Sequence, residues 1–227
     1  MAAVYEFGPF RQDPLARTLA RQGTREEARN LIRSQSEKTE QDARLKVVTE
    51  AQLLREAKQY LAAFKLLSDT SARTPDDLDL VYELAILAEK LDRLDEMERL
   101  LRQVIAGKPD SPHAYNALGY SLADRNLRLP EARQLILKAL AFAPGDPFIT
   151  DSLGWLEFRS GNLAQAQQIL ETAFKARPDA EIATHLGEVL WTLGRRDQAL
   201  SIWKEGERID AGNEALQETL KRLRGKP

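Results

Sequence analysis

The chain has 227 residues, of which 43% are hydrophobic and 30% are charged, so it can build a core and still keep a large polar surface. Lysine plus arginine (33) nearly balance aspartate plus glutamate (35), which argues against the basic surface of a nucleic-acid-binding protein. There are no cysteines, which excludes disulfides, thiol chemistry and a lipid-anchored cysteine within this chain. Apolar residues recur at spacings of three and four rather than two, which predicts an almost entirely helical chain.

The first 43 residues carry the weakest structural signal. Residues 1–12 are predicted to be extended or disordered, and they lack the basic and apolar regions of a signal peptide. No run of 18 apolar residues occurs in the chain, so no membrane span is predicted. Residues 13–43 are predicted to form a degenerate helical hairpin with an apolar face at Leu15, Leu19, Leu31 and Ile32 and a reversal at Gly23.

From residue 44 to residue 212 the sequence repeats itself with a period in the low thirties. A pattern of a polar residue, Leu-Gly and then an aromatic or acidic residue returns after 35 and then 33 positions, at 116–120, 151–155 and 184–188. Prolines, which break helices, recur at intervals of 34, 35 and 34 at Pro75, Pro109, Pro144 and Pro178. Such a period is typical of a solenoid of helical hairpins.

Capping residues and glycines predict where each helix begins and reverses. Helix starts are expected after Asp76 or Asp77, at Ser111-Pro112, at Asp146-Pro147 and after Asp179. Gly161 and Gly194 lie where a hairpin must reverse its direction. Small residues seven apart in each later helix, with Ile136, Leu170 and Trp203 between them, predict close approach of the two helices in a hairpin.

The combination of Leu-Gly in the first helix, Ala in the second and Pro at the unit end resembles the tetratricopeptide repeat (TPR). The resemblance implies an all-α fold, a right-handed α-solenoid of antiparallel helical hairpins known as the TPR superhelix. Five repeats fit residues 44–212, beginning near Arg44, Leu78, Pro112, Pro147 and Ala180. Residues 213–227 are predicted to be a C-terminal capping helix and tail.

In TPR proteins the first helix of each hairpin lines a concave groove that binds partner peptides. The resemblance therefore places the candidate partner-binding residues at Asn116, Tyr120, Phe148, Asp151, Trp155, Phe158, Glu188 and Trp191. Aromatic rings dominate binding hot spots, although these rings could instead only pack one hairpin on the next. Some TPR proteins bind a C-terminal carboxylate with basic and Asn residues, but this groove contains Asn116 without a matching set of lysines and arginines. The aromatic and acidic groove is instead expected to suit an apolar and basic peptide.

Catalytic, metal and cofactor sites are not expected. The two histidines, His113 and His185, lie 72 positions apart, and no Gly-rich phosphate-binding loop occurs. The hydrolase alternative is Ser152 with His185 in the next repeat and Asp151 or Asp179 as an orienting group. Ser152 and His185 lie beside the leucine of the repeat pattern, so they are expected to be packed in the core and not open to a substrate.

A closer resemblance covers residues 44–223 and is strongest after Asn116. The runs 116–125, 151–155 and 185–191 resemble the C-terminal part of proteobacterial outer-membrane TPR lipoproteins, some of which are adaptors for a carboxyl-terminal processing protease. This resemblance implies a periplasmic location, with the cytoplasm as the alternative, and a protease partner. The chain lacks the signal peptide and lipidated cysteine of those proteins, so it is expected to be a C-terminal fragment or a truncated relative.

The expected function is a non-catalytic scaffold or adaptor that binds partner proteins or peptides in the groove. The alternative is a self-associating structural module of a larger envelope complex. In that case copies would associate through the apolar face of the N-terminal hairpin.

Overall fold

The computed structural model describes residues 25–34 and 38–224, and every regular element in these two ranges is an α-helix. The helices are α1 (Arg25–Ser34), α2 (Glu40–Glu56), α3 (Tyr60–Ser71), α4 (Leu78–Lys90), α5 (Leu94–Gly107), α6 (Pro112–Asp124), α7 (Leu129–Phe142), α8 (Pro147–Arg159), α9 (Leu163–Ala176), α10 (Ala180–Thr192), α11 (Arg196–Ile209) and α12 (Glu214–Arg224). The prediction of an all-α fold is confirmed. The extended segment predicted at 1–12, together with Leu15, Leu19 and Gly23, lies outside the described residues.

The chain divides into two compact units at Pro109 and Asp110. The described part of the first unit contains α1 to α5, in which α2 packs with α3 and α4 packs with α5. A buried carboxylate holds α1 against α2: Glu50 accepts hydrogen bonds from Arg29, at 3.0 Å, and from Arg33. Ile32, one of the residues of the apolar face predicted for the N-terminal hairpin, is buried.

The second unit contains three antiparallel hairpins, α6/α7, α8/α9 and α10/α11, followed by α12. Its first helices begin at Pro112, Pro147 and Ala180, as predicted. The Asp146 carboxylate caps α8 by accepting the backbone N–H of Phe148 at 2.9 Å, and Asp179 caps α10 in the same way. Ser111 occupies the N-cap position of α6 and Pro112 follows at the start of the helix, as predicted, although the Ser111 hydroxyl makes no capping hydrogen bond. The helix α12 packs on α10 and α11.

Left-handed residues produce the reversals inside the hairpins. Gly161 has a φ of +84° and Gly194 a φ of +78°, a conformation that costs glycine little because it has no Cβ. The third repeat uses a longer turn, in which Asn126 and Arg128 take positive φ instead of a glycine.

The glycine of each Leu-Gly pair lies where the first helix meets the second helix of its own hairpin. A Cβ added at these glycines would meet a large side chain at far less than contact distance: Gly119 at 2.7 Å from Ile136, Gly154 at 2.6 Å from Leu170, and Gly187 at 2.1 Å from Trp203. The three large side chains are fully buried. The repeated Leu-Gly pair therefore encodes the close approach of the two helices in a hairpin.

Replacing Gly187 by alanine should destabilise the protein by about 1–3 kcal/mol, because the new methyl group overlaps the Trp203 indole and forces the two helices apart. Urea denaturation followed by circular dichroism measures the change. Gly212→Ala is the matched control, since its Cβ would meet only Asp210 Oδ1 at 3.4 Å and its backbone needs no positive φ. Equal stability of the Gly187→Ala variant and the wild type would contradict this account of the Leu-Gly pair.

Candidate partner-binding surface

All eight predicted binding residues lie on the first helices of the second unit. Asn116 and Tyr120 are on α6, and Glu188 and Trp191 are on α10. The remaining four, Phe148, Asp151, Trp155 and Phe158, are on α8, which contacts both α6 and α10. Spacings of three to four residues put each set on one side of its helix. We call the surface formed by these eight side chains the first-helix face.

The first-helix face is more tightly packed than an open groove. Five of its residues are at most 8% exposed: Asn116, Tyr120, Asp151, Trp155 and Glu188. The other three, Phe148, Phe158 and Trp191, are half-buried. Packing of hairpin on hairpin therefore accounts for Tyr120 and Trp155, whereas the half-buried rings leave apolar surface in contact with solvent.

The centre of the face is His185, a residue of α10 outside the predicted set. Its Nδ1 lies 2.9 Å from an Asp151 carboxylate oxygen, and its Nε2 lies 3.3 Å from the Tyr120 hydroxyl oxygen. The Trp155 ring stacks on the imidazole at a centroid distance of 4.3 Å. One buried side chain thus joins α6, α8 and α10.

The surroundings of His185 favour its charged form. Burial lowers the pKa of this imidazole, but the charge of Asp151 and the hydrogen bond to it outweigh burial, with a smaller contribution from Glu181, so the net shift of the pKa is upward. A protonated imidazole donates from both nitrogens, which suits a carboxylate on one side and a hydroxyl oxygen on the other. Sequence patterns did not single out this role, because His185 precedes the core leucine and only its neighbours in space identify it.

The hydrolase arrangement considered for Ser152 and His185 does not form. The Ser152 hydroxyl donates to the Phe148 carbonyl at 3.1 Å, and both nitrogens of His185 are engaged by other groups. In the described ranges, no cluster of three or more histidine, aspartate or glutamate side chains is placed to hold a metal ion. No described helix is both long and apolar enough to cross a membrane.

The other acidic groups on or beside the first-helix face also have partners within the unit. Asp124 accepts the indole N–H of Trp155 at 3.0 Å, and Glu188 pairs with Arg222 of α12 at 2.6 Å. The acidic residues that suggested a basic peptide are therefore already paired with groups of the protein itself. They do not give the face a free negative charge for a partner.

Three arginines lie over aromatic rings of the face, and one of them, Arg177, has its Cζ 4.9 Å from the centroid of Phe148. The Arg196 Cζ is 3.6 Å from the centroid of Trp191, and the Arg159 Cζ is 5.9 Å from that of Trp155. Arg196 is the first residue of the second helix α11, so the periodic positions of the first helix do not include it. The only sequence signal for it is the pair Arg195-Arg196 shortly after Trp191.

Comparison with known proteins identifies the family. Models of the tetratricopeptide repeat match residues 54–119, residues 96–147 together with 152–214, and residues 13–34. The chain belongs to the tetratricopeptide repeat family. The TPR matches cover the three hairpins whose first helices form the first-helix face, apart from residues 148–151 of α8.

A TPR repeat-containing protein of Pseudomonas aeruginosa is 44% identical over 200 residues, which are 88% of this chain and 34% of that protein. The chain thus spans about a third of the length of this relative. A second relative, the chloroplast PsbB mRNA maturation factor Mbb1 of Chlamydomonas reinhardtii, is 38% identical over 74 residues, 32% of this chain and 11% of that protein.

Solved TPR structures share the fold. A TPR protein of Parabacteroides merdae superposes with a TM-score of 0.76 at 18% identity, over 92% of this chain and 82% of that one. A thermophilic TPR protein of Thermus thermophilus gives a TM-score of 0.70 at 20% identity, over 78% and 96% of the two chains. The type IV pilus biogenesis factor PilW gives 0.62 at 19% identity, over 79% and 91%. At these identities the likeness shows the fold alone.

The upward pKa shift of His185 predicts a pH dependence of stability with a definite sign. A raised pKa in the folded state contributes stability that is complete below the unfolded pKa, near 6.5, and is lost as pH rises through the folded pKa. The stability of the wild type relative to His185→Gln should therefore fall as pH increases above about 6.5. Urea denaturation at several pH values from 5.5 upward measures the difference.

Asp151→Asn is the control for this prediction, because it removes the negative charge that keeps His185 protonated while preserving the size of the side chain. In this variant burial dominates and lowers the pKa of His185, so the part of the pH dependence that is due to His185 should reverse, with stability rising as pH increases. A wild type whose advantage over His185→Gln grows with pH would show that the imidazole is neutral in the folded protein.

Proposed function

We propose that this chain is a non-catalytic adaptor module that binds a partner protein or peptide on the first-helix face. The TPR fold is that of a protein-interaction scaffold, and the proposal adds the location of the binding surface. Under this proposal the rings that contact the partner are the half-buried ones, Phe148, Phe158 and Trp191, and the buried residues of the face hold them in place.

The observation that carries the proposal is the contrast between satisfied polar groups and partly uncovered rings. His185 contacts both Asp151 and Tyr120, so one side chain connects three hairpins. Phe158 and Trp191 are half-buried on this rigid support. Aromatic side chains that are already ordered lose little entropy when a partner binds, which is the reason that they concentrate binding energy.

We also propose a carboxyl-terminal processing protease as the partner and the periplasm as the location. This finer proposal is supported by the resemblance of residues 116–191 to outer-membrane TPR lipoproteins, whereas the TPR relatives themselves support only the interaction scaffold. It predicts that the purified chain binds the protease of its own organism and that substitutions on the first-helix face weaken the complex.

Self-association through the N-terminal hairpin is the competing function. Ile32, one of the residues named for that interface, is 1% exposed, so it is not available to a second copy. Light scattering at high protein concentration distinguishes the two functions, since an adaptor that works through the first-helix face needs no self-association.

The proposed surface is tested by placing a photo-crosslinking amino acid at Phe158 or Trp191 of the protein within its own cells. The matched control position is Leu137, which is 47% exposed on the second helix α7. We expect a specific adduct from the two face positions and none from Leu137. Adducts of equal yield at all three positions, or at Leu137 alone, would contradict the proposal.

Substitution gives an independent measurement on the identified partner. Phe158→Ala should weaken binding by about tenfold or more, because a ring at the centre of an interface is worth on the order of 2 kcal/mol. Leu137→Ala should leave the affinity unchanged. Thermal unfolding of each variant separates loss of contact from loss of fold.

A further inference from the structure

The first helices of the second unit end, and its second helices begin, at one edge of the unit. We call this edge the turn end, and it consists of residues 124–133, 157–162 and 191–197. It contains six arginines and four carboxylates: Arg125, Arg128, Arg133, Arg159, Arg195 and Arg196 against Asp124, Glu131, Glu157 and Asp197. The excess positive charge lies beside the half-buried rings Phe158 and Trp191.

Three of the four carboxylates at the turn end are engaged within the unit. Asp124 accepts the Trp155 N–H, and Glu131 pairs with Arg128 at 3.3 Å. The fully buried Glu157 pairs with Arg133 and also accepts the Asn162 amide at 2.7 Å. These pairs neutralise two of the arginines and leave the fourth carboxylate, Asp197, exposed.

Three arginines at the turn end have no carboxylate partner. Within the described part of the chain, no acidic side chain lies within 4.0 Å of the guanidinium groups of Arg159, Arg195 or Arg196. Arg196 and Arg159 instead lie over the Trp191 and Trp155 rings. Stacking of this kind orients the planar guanidinium and leaves its N–H edges available for a bidentate acceptor such as a carboxylate.

Helix dipoles do not account for this surplus of arginines. At the turn end the C-terminus of each first helix lies beside the N-terminus of its antiparallel second helix, so the two dipole charges are of opposite sign. At the opposite edge, residues 110–113, 143–148, 176–181 and 210–214 carry six carboxylates and one arginine, so the two edges of the unit differ in sign. An approaching peptide is therefore oriented by charge as well as by shape.

We propose that the turn end binds an acidic segment of the partner, in which aspartate or glutamate side chains pair with Arg159 and Arg196 and an apolar side chain packs on Phe158 and Trp191. The inference rests on the proposed function and specifies the chemistry of the partner. It reverses the basic partner expected from the sequence, because Asp151 and Glu188 are already paired within the fold. It also differs from a carboxylate clamp, since the arginines belong to the turn end and not to the Asn116 position.

Fluorescence anisotropy with three labelled peptides tests the inference on the intact chain. The peptides share one apolar centre, such as Leu-Phe-Leu, and are flanked by glutamates, glutamines or lysines. We expect the glutamate peptide to bind at least about fivefold more tightly than the glutamine peptide, and the lysine peptide to bind most weakly. Raising the salt concentration should reduce the preference, because exposed charges are screened.

Charge reversal locates the contact. Arg196→Glu should weaken binding of the glutamate peptide by at least about fivefold, and Arg196→Gln, which removes the charge but keeps a hydrogen-bond donor, should have a smaller effect. The matched control is Lys204→Glu, a reversal of one exposed cation on the same helix, α11, outside the turn end. The control variant should bind the glutamate peptide within about twofold of the wild type.

Tightest binding of the lysine peptide, equal losses in Arg196→Glu and Lys204→Glu, or no binding of any peptide would each overturn the acidic-partner inference. The proposed function is tested separately, because the photo-crosslinks from Phe158 and Trp191 form with a partner of either charge. Crosslinks at the face together with a preference for lysine would reject the inference and retain the adaptor function.

Discussion

The contact between a glycine of the first helix and a large side chain of the second is the constraint on which the described repeats of the second unit depend. Gly119, Gly154 and Gly187 leave room for Ile136, Leu170 and Trp203, so the helices of each hairpin lie closer than ordinary side chains would permit. Tightly packed interiors tolerate little change in volume, so each of these contacts resists a larger residue at the glycine position. The same type of contact in each hairpin places the first helices, and hence the residues of the first-helix face, in equivalent positions.

Polar contacts then connect one hairpin to the next at single positions. Apolar packing specifies a distance but only weakly specifies the register between helices, whereas a buried charged group requires particular partners. His185 meets this requirement through Asp151 of the previous hairpin and Tyr120 of the one before it. The Trp155 N–H bound by Asp124 and the Glu188–Arg222 pair extend the same principle along the unit. The acidic and buried aromatic residues of the face therefore already stabilise the contacts between hairpins in the absence of a partner.

This internal use of polar groups changes how the surface can recognise a partner. A carboxylate that already accepts two hydrogen bonds offers little to an incoming cation, because breaking the existing bonds costs as much as the new ones supply. Arginines stacked on rings keep their N–H groups available, and the neighbouring half-buried rings supply apolar area. Recognition by the turn end consequently combines positive charge with aromatic surface, and the paired acids mainly stabilise the fold.

Much of the architecture could be predicted from the sequence, because helix starts, reversals and the Leu-Gly pair are local signals of fixed chemical meaning. The starts of α6, α8 and α10, the left-handed glycines at 161 and 194, and the TPR family all follow from such signals. Ser111 occupies the N-cap position but makes no capping hydrogen bond, so a preferred residue type at this position does not by itself predict the bond. The assignment of the eight face residues to a binding role remains a prediction.

Only the tertiary structure shows which residues of the first-helix face already have hydrogen-bond or ring partners within the protein. The repeat register suggested Asp151 as a partner of His185, and the structure shows that contact. Tyr120 lies 65 positions from His185, and the ring beneath Arg196 belongs to the preceding helix, so no local pattern identifies these two contacts. By itself, the sequence determined the repeat, its helices and the close approach within each hairpin, since those depend on the conformational limits of single residues. The charge that the surface presents depends on pairs of residues brought together from different hairpins, and such pairs exist only once the chain has folded.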